Sequence, residues 1–133
     1  MSGTGAFRTP KYICGVATVA VTHFADRLAD AVERKRSQLV VGLDPVVEQL
    51  PGALRQEAER GRGEAASVFL EFCCGIVDAV ASHAVAVKPQ SAFFEALGSD
   101  GVRAFEDVCD YARAAGLLVI ADAKRHSTIA AGG

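Results

Sequence analysis

Four charged side chains stand where apolar runs of the chain stop. Asp44 follows the run 38–43, Lys88 follows 84–87, and Asp122 and Lys124 follow 117–121. Asp122 and Lys124 are two residues apart, so in extended chain they project to the same side. Carboxylates and ammonium groups sharing a partly dry cleft interact strongly, because the local dielectric is low. Such an array keeps its lysines protonated and repels an anion set beside a carboxylate. Both properties suit a reaction in which a substrate loses negative charge as CO2 and then takes a proton from an ammonium. They suit an aldolase or isomerase acting on a sugar phosphate equally well. Residue types and spacing do not choose between these, and the plain alternative is an ion pair that closes a strand.

These residues need strands that place them and helices that cover the strands. A helix is expected over 23–36, with Thr22 as its N-cap and Phe24, Leu28, Ala31 and Val32 on its buried stripe. The strand 38–43 follows, read as a buried strand, and ends at Asp44-Pro45, where proline prevents continuation. A short helix is expected over 53–60 and a long one over 64–83, packed through Ala65, Val68, Phe69, Phe72, Ile76 and Val80. The strand 84–87 runs into Lys88-Pro89-Gln90, followed by a short helix over 91–97. Ser99 then caps a helix over 100–115 that buries Val102, Phe105, Val108, Cys109 and Ala112 and stops at Gly116. The unbroken apolar run 117–121 suits a strand buried on both faces, as in a parallel sheet. Strands separated by helices of this length run parallel with right-handed crossovers. All three carboxyl ends then lie at one edge, where Asp44, Lys88, Asp122 and Lys124 meet. The fold class is α/β, with residues 1–21 a loose N-terminal extension and 22–133 the domain.

Composition narrows the functions. Half of the 133 residues are hydrophobic and 23% are charged, which supports a buried core and argues against disorder. The net charge is −2, no long basic run occurs and tryptophan is absent, so no nucleic-acid surface is indicated. The longest apolar run, 13–21, is far below the ~20 residues of a membrane span and does not read as a signal peptide. Cys14, Cys73, Cys74 and Cys109 form no C-x-x-C pair and read as free thiols used as small hydrophobes, as expected in a reducing cytoplasm. His83, at a helix end, reads as a surface residue and not as a ligand.

Three strings together resemble orotidine 5′-phosphate decarboxylase of the bacterial, mycobacterial-type branch. They are Val-Gly-Leu-Asp-Pro at 41–45, Val-Lys-Pro-Gln-Ser-Ala-Phe-Phe-Glu at 87–95 and Leu-Val-Ile-Ala-Asp-Ala-Lys-Arg at 118–125. The resemblance covers roughly 24–125 and implies the N-terminal portion of a (β/α)8 TIM barrel, three parallel strands with flanking helices. It further implies a homodimer that decarboxylates orotidine 5′-phosphate, a small nucleotide, to uridine 5′-phosphate without metal or organic cofactor. Carried over by motif, Asp44 resembles the acid that binds the ribose hydroxyls. Lys88 resembles the lysine that links the ribose to the catalytic carboxylate. Asp122 resembles the carboxylate facing the departing group, and Lys124 the proton donor to C6 of the pyrimidine.

Two departures accompany the resemblance. The family motif is Asp-x-Lys-x-x-Asp, whose second acid reaches across the dimer; here that place holds Ser127. A barrel of this kind needs about 250 residues, and the phosphate-gripping loops of its late strands have no counterpart here. Both departures begin at His126, so a truncated product or fragment is expected, marginal in isolation, with an inactive remnant as the alternative to an active decarboxylase. A related sugar-phosphate decarboxylase or aldolase of the same barrel superfamily is the other alternative.

Overall fold

The computed structural model describes residues 22–123. Helix α1 is Phe24–Lys35 and strand β1 is Leu39–Leu43. A single 3-10 turn, Val47–Gln49, leads into helix α2, Gly52–Ala58, and then α3, Arg62–Val80. Strand β2, Ala84–Pro89, runs directly into α4, Ser91–Glu95. Helix α5, Ser99–Ala114, then precedes strand β3, Leu118–Val119. The three strands form one parallel sheet in the order β1-β2-β3, as the helix-strand alternation predicts. Gly116, at φ 79°, ends α5 with its N–H donating to the Arg113 carbonyl, and Leu117 N–H donates to Ala112. Only a residue that tolerates a positive φ closes a helix in this way.

The sheet has helices on both faces, and the larger core lies on one of them. Leu43, Ala84 and Val87 join Phe69, Cys73 and Val77 of α3, Phe94 of α4, and Val108 and Ala112 of α5. On the opposite face Val85 and Ala86 pack with Ala31 of α1, and Leu28, Val32, Leu118 and Ile120 close around them. Successive residues of a regular strand face opposite sides, so Val85 and Ala86 together need an irregularity. The register supplies it: Leu39 pairs with Ala84 but Val40 pairs with Ala86, leaving Val85 as an extra residue.

The strands depart from their predicted character in two ways. Strand β1 is an edge and not a doubly buried strand: Leu39 and Val40 are 48% and 42% exposed. Strand β3 is regular only over Leu118–Val119, against the expected 117–121. The reason is Pro89. Ile120 donates to Val87 and Asp122 donates to Pro89, so the Ile120 carbonyl faces position 89 and meets a residue without an N–H. The ladder skips that bond and resumes as an isolated bridge between Gln90 and Asp122.

Smaller corrections concern helix ends and stripes. His23 occupies the N-cap of α1 in place of Thr22, and Gly98, at φ 77°, occupies that of α5 in place of Ser99; neither cap has a side-chain bond. Phe24 and Val102 are exposed, against expectation. Phe24 lies one turn before the part of α1 that reaches the sheet, and Val102 borders an open groove with Phe105 and Ala123. The long helix begins two residues early at Arg62 and ends at Val80, so His83 stands in the exposed turn beyond it.

Two contacts fix the frame. Phe94 is wholly buried and packs edge-on against Phe69 and Phe105, with ring centres 5.9 and 5.5 Å apart. Helix α5 approaches so closely that any side chain at Gly101 would collide with the Phe94 carbonyl and the Leu97 Cβ. Elsewhere, Lys35 Nζ donates to the carbonyls of Ala81 and Ala84 at 2.7 and 2.8 Å, which ties the end of α1 to the turn entering β2. Partial burial lowers the Lys35 pKa, and the neighbouring Arg34 adds to the effect. Gly101→Ala is therefore expected to destabilise the fold by about 3 kcal/mol through a backbone clash that no rotamer relieves. Lys35→Met is expected to cost about 1–2 kcal/mol, because two carbonyls lose a charged donor. Urea unfolding followed by circular dichroism checks both; unchanged midpoints would contradict the packing described.

Candidate functional site

Parallel strands place paired residues on the same face, so the register reads out the site in layers. Val40, Ala86 and Leu118 form the lowest layer on the face that α1 covers. Gly42 pairs with Lys88 in the next, and Gln90 is bridged to Asp122 in the one above. Asp44 follows Gly42 by two residues and returns to the same face. Its Oδ2 lies 3.3 Å from the point where a Gly42 Cβ would stand, so the carboxylate folds back over the glycine toward the layer of Lys88. Asp44, Lys88 and Asp122 thus share one face and one edge, the carboxyl ends of the strands, as expected. Lys124, Arg125 and Ser127 lie outside the described residues.

Lys88 Nζ stands 3.5 Å from Asp122 Oδ2. The lysine side chain is 37% exposed and the aspartate 15%, so the ammonium faces the mouth while the carboxylate is recessed. The contact is long for a charge-assisted hydrogen bond. Lys88 therefore keeps donor capacity for another acceptor at the edge. Asp122 is held by its backbone on both sides: its N–H donates to Pro89 and its carbonyl accepts from Ser91 N–H, each at 3.0 Å. Gln90 N–H donates to the Leu43 carbonyl at 3.3 Å, which ties the third strand end to the other two.

Two residues of the quoted strings gain a place that their types alone did not suggest. Gly42 vacates the position beside Lys88 that the Asp44 carboxylate leans over. Gln90 shares the face of Lys88 and the layer of Asp122. Strand alternation from Lys88 was the available signal for Gln90, and alternation from Asp44 was the signal for Gly42.

The thiols stand apart from this group. Cys73 is wholly buried on α3. Burial, helped by Cys74 and the Asp44 charge, pushes its thiol up to about 12. Burial also raises Cys74 and Cys109. Cys73, Cys74 and Cys109 are free, as expected. Among the described residues, no three His, Cys, Asp or Glu side chains cluster as metal ligands would. No helix of the described residues is long and apolar enough to cross a membrane.

The chain's relatives agree with this architecture. No family model matches it. It is 46% identical over 104 residues to orotidine 5′-phosphate decarboxylase of Rhodopirellula baltica, covering 77% of this chain and 34% of that protein. It is 36% identical over 105 residues to the enzyme of the same name from Leptospira interrogans, covering 77% and 35%. Among solved structures, a putative orotidine 5′-phosphate decarboxylase from Streptomyces avermitilis superposes with a TM-score of 0.56 at 38% identity, over 74% of this chain and 32% of that one. A putative orotidine-monophosphate decarboxylase from Toxoplasma gondii gives 0.59 at 35% identity, over 74% and 31%. The chain spans about a third of the length of the curated relatives it matches. These four do not single out the mycobacterial-type branch.

The parallel sheet, its flanking helices and the charged carboxyl edge make this chain part of a (β/α)8 barrel. Within that class it is a homologue of the orotidine 5′-phosphate decarboxylases over a portion of their length.

A pH dependence follows from Cys73. Its folded value, about 12, lies above the ordinary 9.0, so the neutral thiol is the form that folding favours. The contribution is whole below pH 9 and is lost as pH rises toward 12. Wild type is expected to lose stability between pH 8 and 10.5 relative to Cys73→Val, in chemical denaturation at each pH. Parallel pH profiles of the two proteins would show that the thiol is not enclosed.

Proposed function

We propose that this chain carries part of the active site of an orotidine 5′-phosphate decarboxylase and acts on that nucleotide, releasing CO2 and leaving uridine 5′-phosphate. The observation that carries the reading is the 3.5 Å Lys88–Asp122 pair on the face shared with Asp44, at the carboxyl edge of a parallel sheet. Homology to enzymes of that name supports it.

In this reading Asp44 accepts hydrogen bonds from the ribose hydroxyls. Lys88, with donor capacity beyond Asp122, spans the ribose and the carboxylate. Asp122 faces the substrate carboxylate, and the repulsion between two anions is relieved as CO2 departs. Lys124 then supplies the proton to C6, and its ammonium stabilises the carbanion before transfer. The same reading includes a homodimer and a place in pyrimidine nucleotide synthesis. A second reading, a remnant that binds nucleotide without turning it over, is favoured by Ser127, which stands where the resembled motif has its second acid.

The test is CO2 release from orotidine 5′-phosphate by the 133-residue chain, beside Lys88→Met, Asp122→Asn and Ser127→Asp. Each of the first two is expected to lower kcat/KM by at least about a hundredfold, the scale of a preorganised electrostatic group. Equal turnover by wild type and both variants would remove these residues from the reaction. Turnover gained only with Ser127→Asp would establish the remnant.

A further inference from the structure

The middle strand carries a proline, and the sheet continues past it. Pro89 is wholly buried. It pairs with Leu43 on one side and accepts from Asp122 N–H on the other. Proline is ordinarily confined to edge strands, strand starts and bulges, because a central strand uses its N–H groups on the ladder. Here the missing donor leaves one rung out. The rung before it joins Ile120 N–H to the Val87 carbonyl at 2.9 Å. The rungs after it join Asp122 N–H to the Pro89 carbonyl and Ser91 N–H to the Asp122 carbonyl, both at 3.0 Å. A proline that only stopped a strand would have no pairing beyond it. This gap lies inside the ladder, between the residues that carry the Lys88–Asp122 pair.

We propose that Pro89 is a positioning residue: by withholding one rung it keeps the Lys88 ammonium from closing on Asp122, and so leaves that ammonium open to an acceptor on a bound ligand. The ring Cδ stands where an amide hydrogen would point at the Ile120 carbonyl. A carbon and an oxygen keep a wider separation than a donor and an acceptor do. The segment between the two sound rungs bows away from β2 by the difference, and β3 loses its regularity after Val119. Asp122 leaves that bow with its carboxylate 3.5 Å from Lys88 Nζ, against about 2.8 Å for a closed ammonium–carboxylate bond. Proline also keeps the residue before it out of helical backbone, which fixes the direction in which the Lys88 side chain leaves the strand. One residue thus sets both members of the pair. An ammonium already closed on a carboxylate would have to give up that bond before serving a ligand. The identity of the ligand, a nucleotide, rests on the reading under Proposed function; the geometry of the pair does not.

Pro89→Ala and Pro89→Val both return the N–H, and valine also keeps the volume of the ring. In either variant the amide of residue 89 is expected to bond to the Ile120 carbonyl, regularise the strand end and draw Asp122 onto Lys88. A proline that serves the fold alone would change stability when replaced and leave the pair as it was.

The experiment is a double-mutant cycle on the 133-residue chain in three backgrounds: wild type, Pro89→Ala and Pro89→Val. In each, Lys88→Met and Asp122→Asn are made singly and together, and urea unfolding gives the coupling of the two side chains as a factor in the unfolding constant. Wild type is expected to show a coupling below about threefold, as an open, part-exposed pair does, and both variants at least about tenfold, as a closed charge-assisted bond does. Amide exchange in heavy water, read by NMR, is expected to show residue 89 of the variants as protected as the other amides of β2. Uridine 5′-monophosphate, titrated by calorimetry, is expected to bind the variants about tenfold more weakly than wild type. A protected amide at 89 with unchanged coupling overturns the proposal, because the rung then closes without moving the pair. Free exchange at 89 in both variants overturns it too, because proline was then not what kept the rung open. So does loss of cooperative unfolding in both, which would make Pro89 a support of the fold and not of the pair. Equal nucleotide affinity in all three backgrounds, with the coupling raised, overturns the role toward a ligand. A wild type that binds no nucleotide overturns the decarboxylase reading, while the coupling still decides what Pro89 does to the pair.

Discussion

The site depends on a backbone ladder that continues past the point where the regular strands end. Asp122 N–H reaches Pro89 and the Asp122 carbonyl takes Ser91 N–H. These two bonds hold one carboxylate beside one glutamine, two residues above one lysine. Without them Asp122 would sit on a free loop, and its approach to Lys88 would be an incidental surface ion pair of little energetic value. With them, the 3.5 Å contact is an outcome of register. Charge attraction does not build this edge; strand pairing does, and the charges are carried into place.

Register in turn needs β2 to be immovable. It is the middle strand, paired on both sides and buried along nearly its whole length. Its exit is clamped by Phe94, locked edge-on between Phe69 and Phe105. The glycine at 101 lets α5 press on that turn, so the crossover helix braces the strand end that bears Lys88 and Gln90. Its entry is held by Lys35, which donates to carbonyls on either side of the turn. Tight packing at both ends fixes the backbone that carries the lysine, which is the arrangement a positioned donor requires.

Much of this was legible from residue order. Helix and strand alternation dictated parallel pairing, and apolar runs ending in Asp44, Lys88 and Asp122 placed the charges at one edge. The errors share a cause: each depended on a neighbour in space. The run 117–121 looks like a full strand by itself, but Pro89 on the partner strand withholds the bond that would keep it regular. The run 38–43 looks doubly buried, but burial of a strand depends on what lies beyond its edge, and among the described residues nothing pairs with its outer side. Val102 fits the helical stripe and Gly101 does not, yet Gly101 is the buried one, because the helix meets a backbone carbonyl there and not a side chain. Gln90 was inside a quoted motif and passed unremarked, since its place in the layer of Asp122 comes from strand register and not from its residue type.

The face that carries the site is divided along its length, and the division explains the exposure of the charges. Near the strand starts, α1 covers Ala86, Leu118 and Ile120, and the bulge at Val85 turns an additional apolar side chain into that contact. Toward the carboxyl ends the apolar cover stops and the side chains become Lys88, Asp44, Gln90 and Asp122. Water thus reaches the charged end of this face. A charge placed lower on this face would be buried against α1 at a heavy desolvation cost, and one placed higher would leave the pairing that orients it. The charged edge sits at the level where sheet geometry still dictates direction and solvent still reaches, and Gly42 keeps the space at that level open. Polar side chains there can be both recessed and available, as Asp122 and Lys88 respectively are.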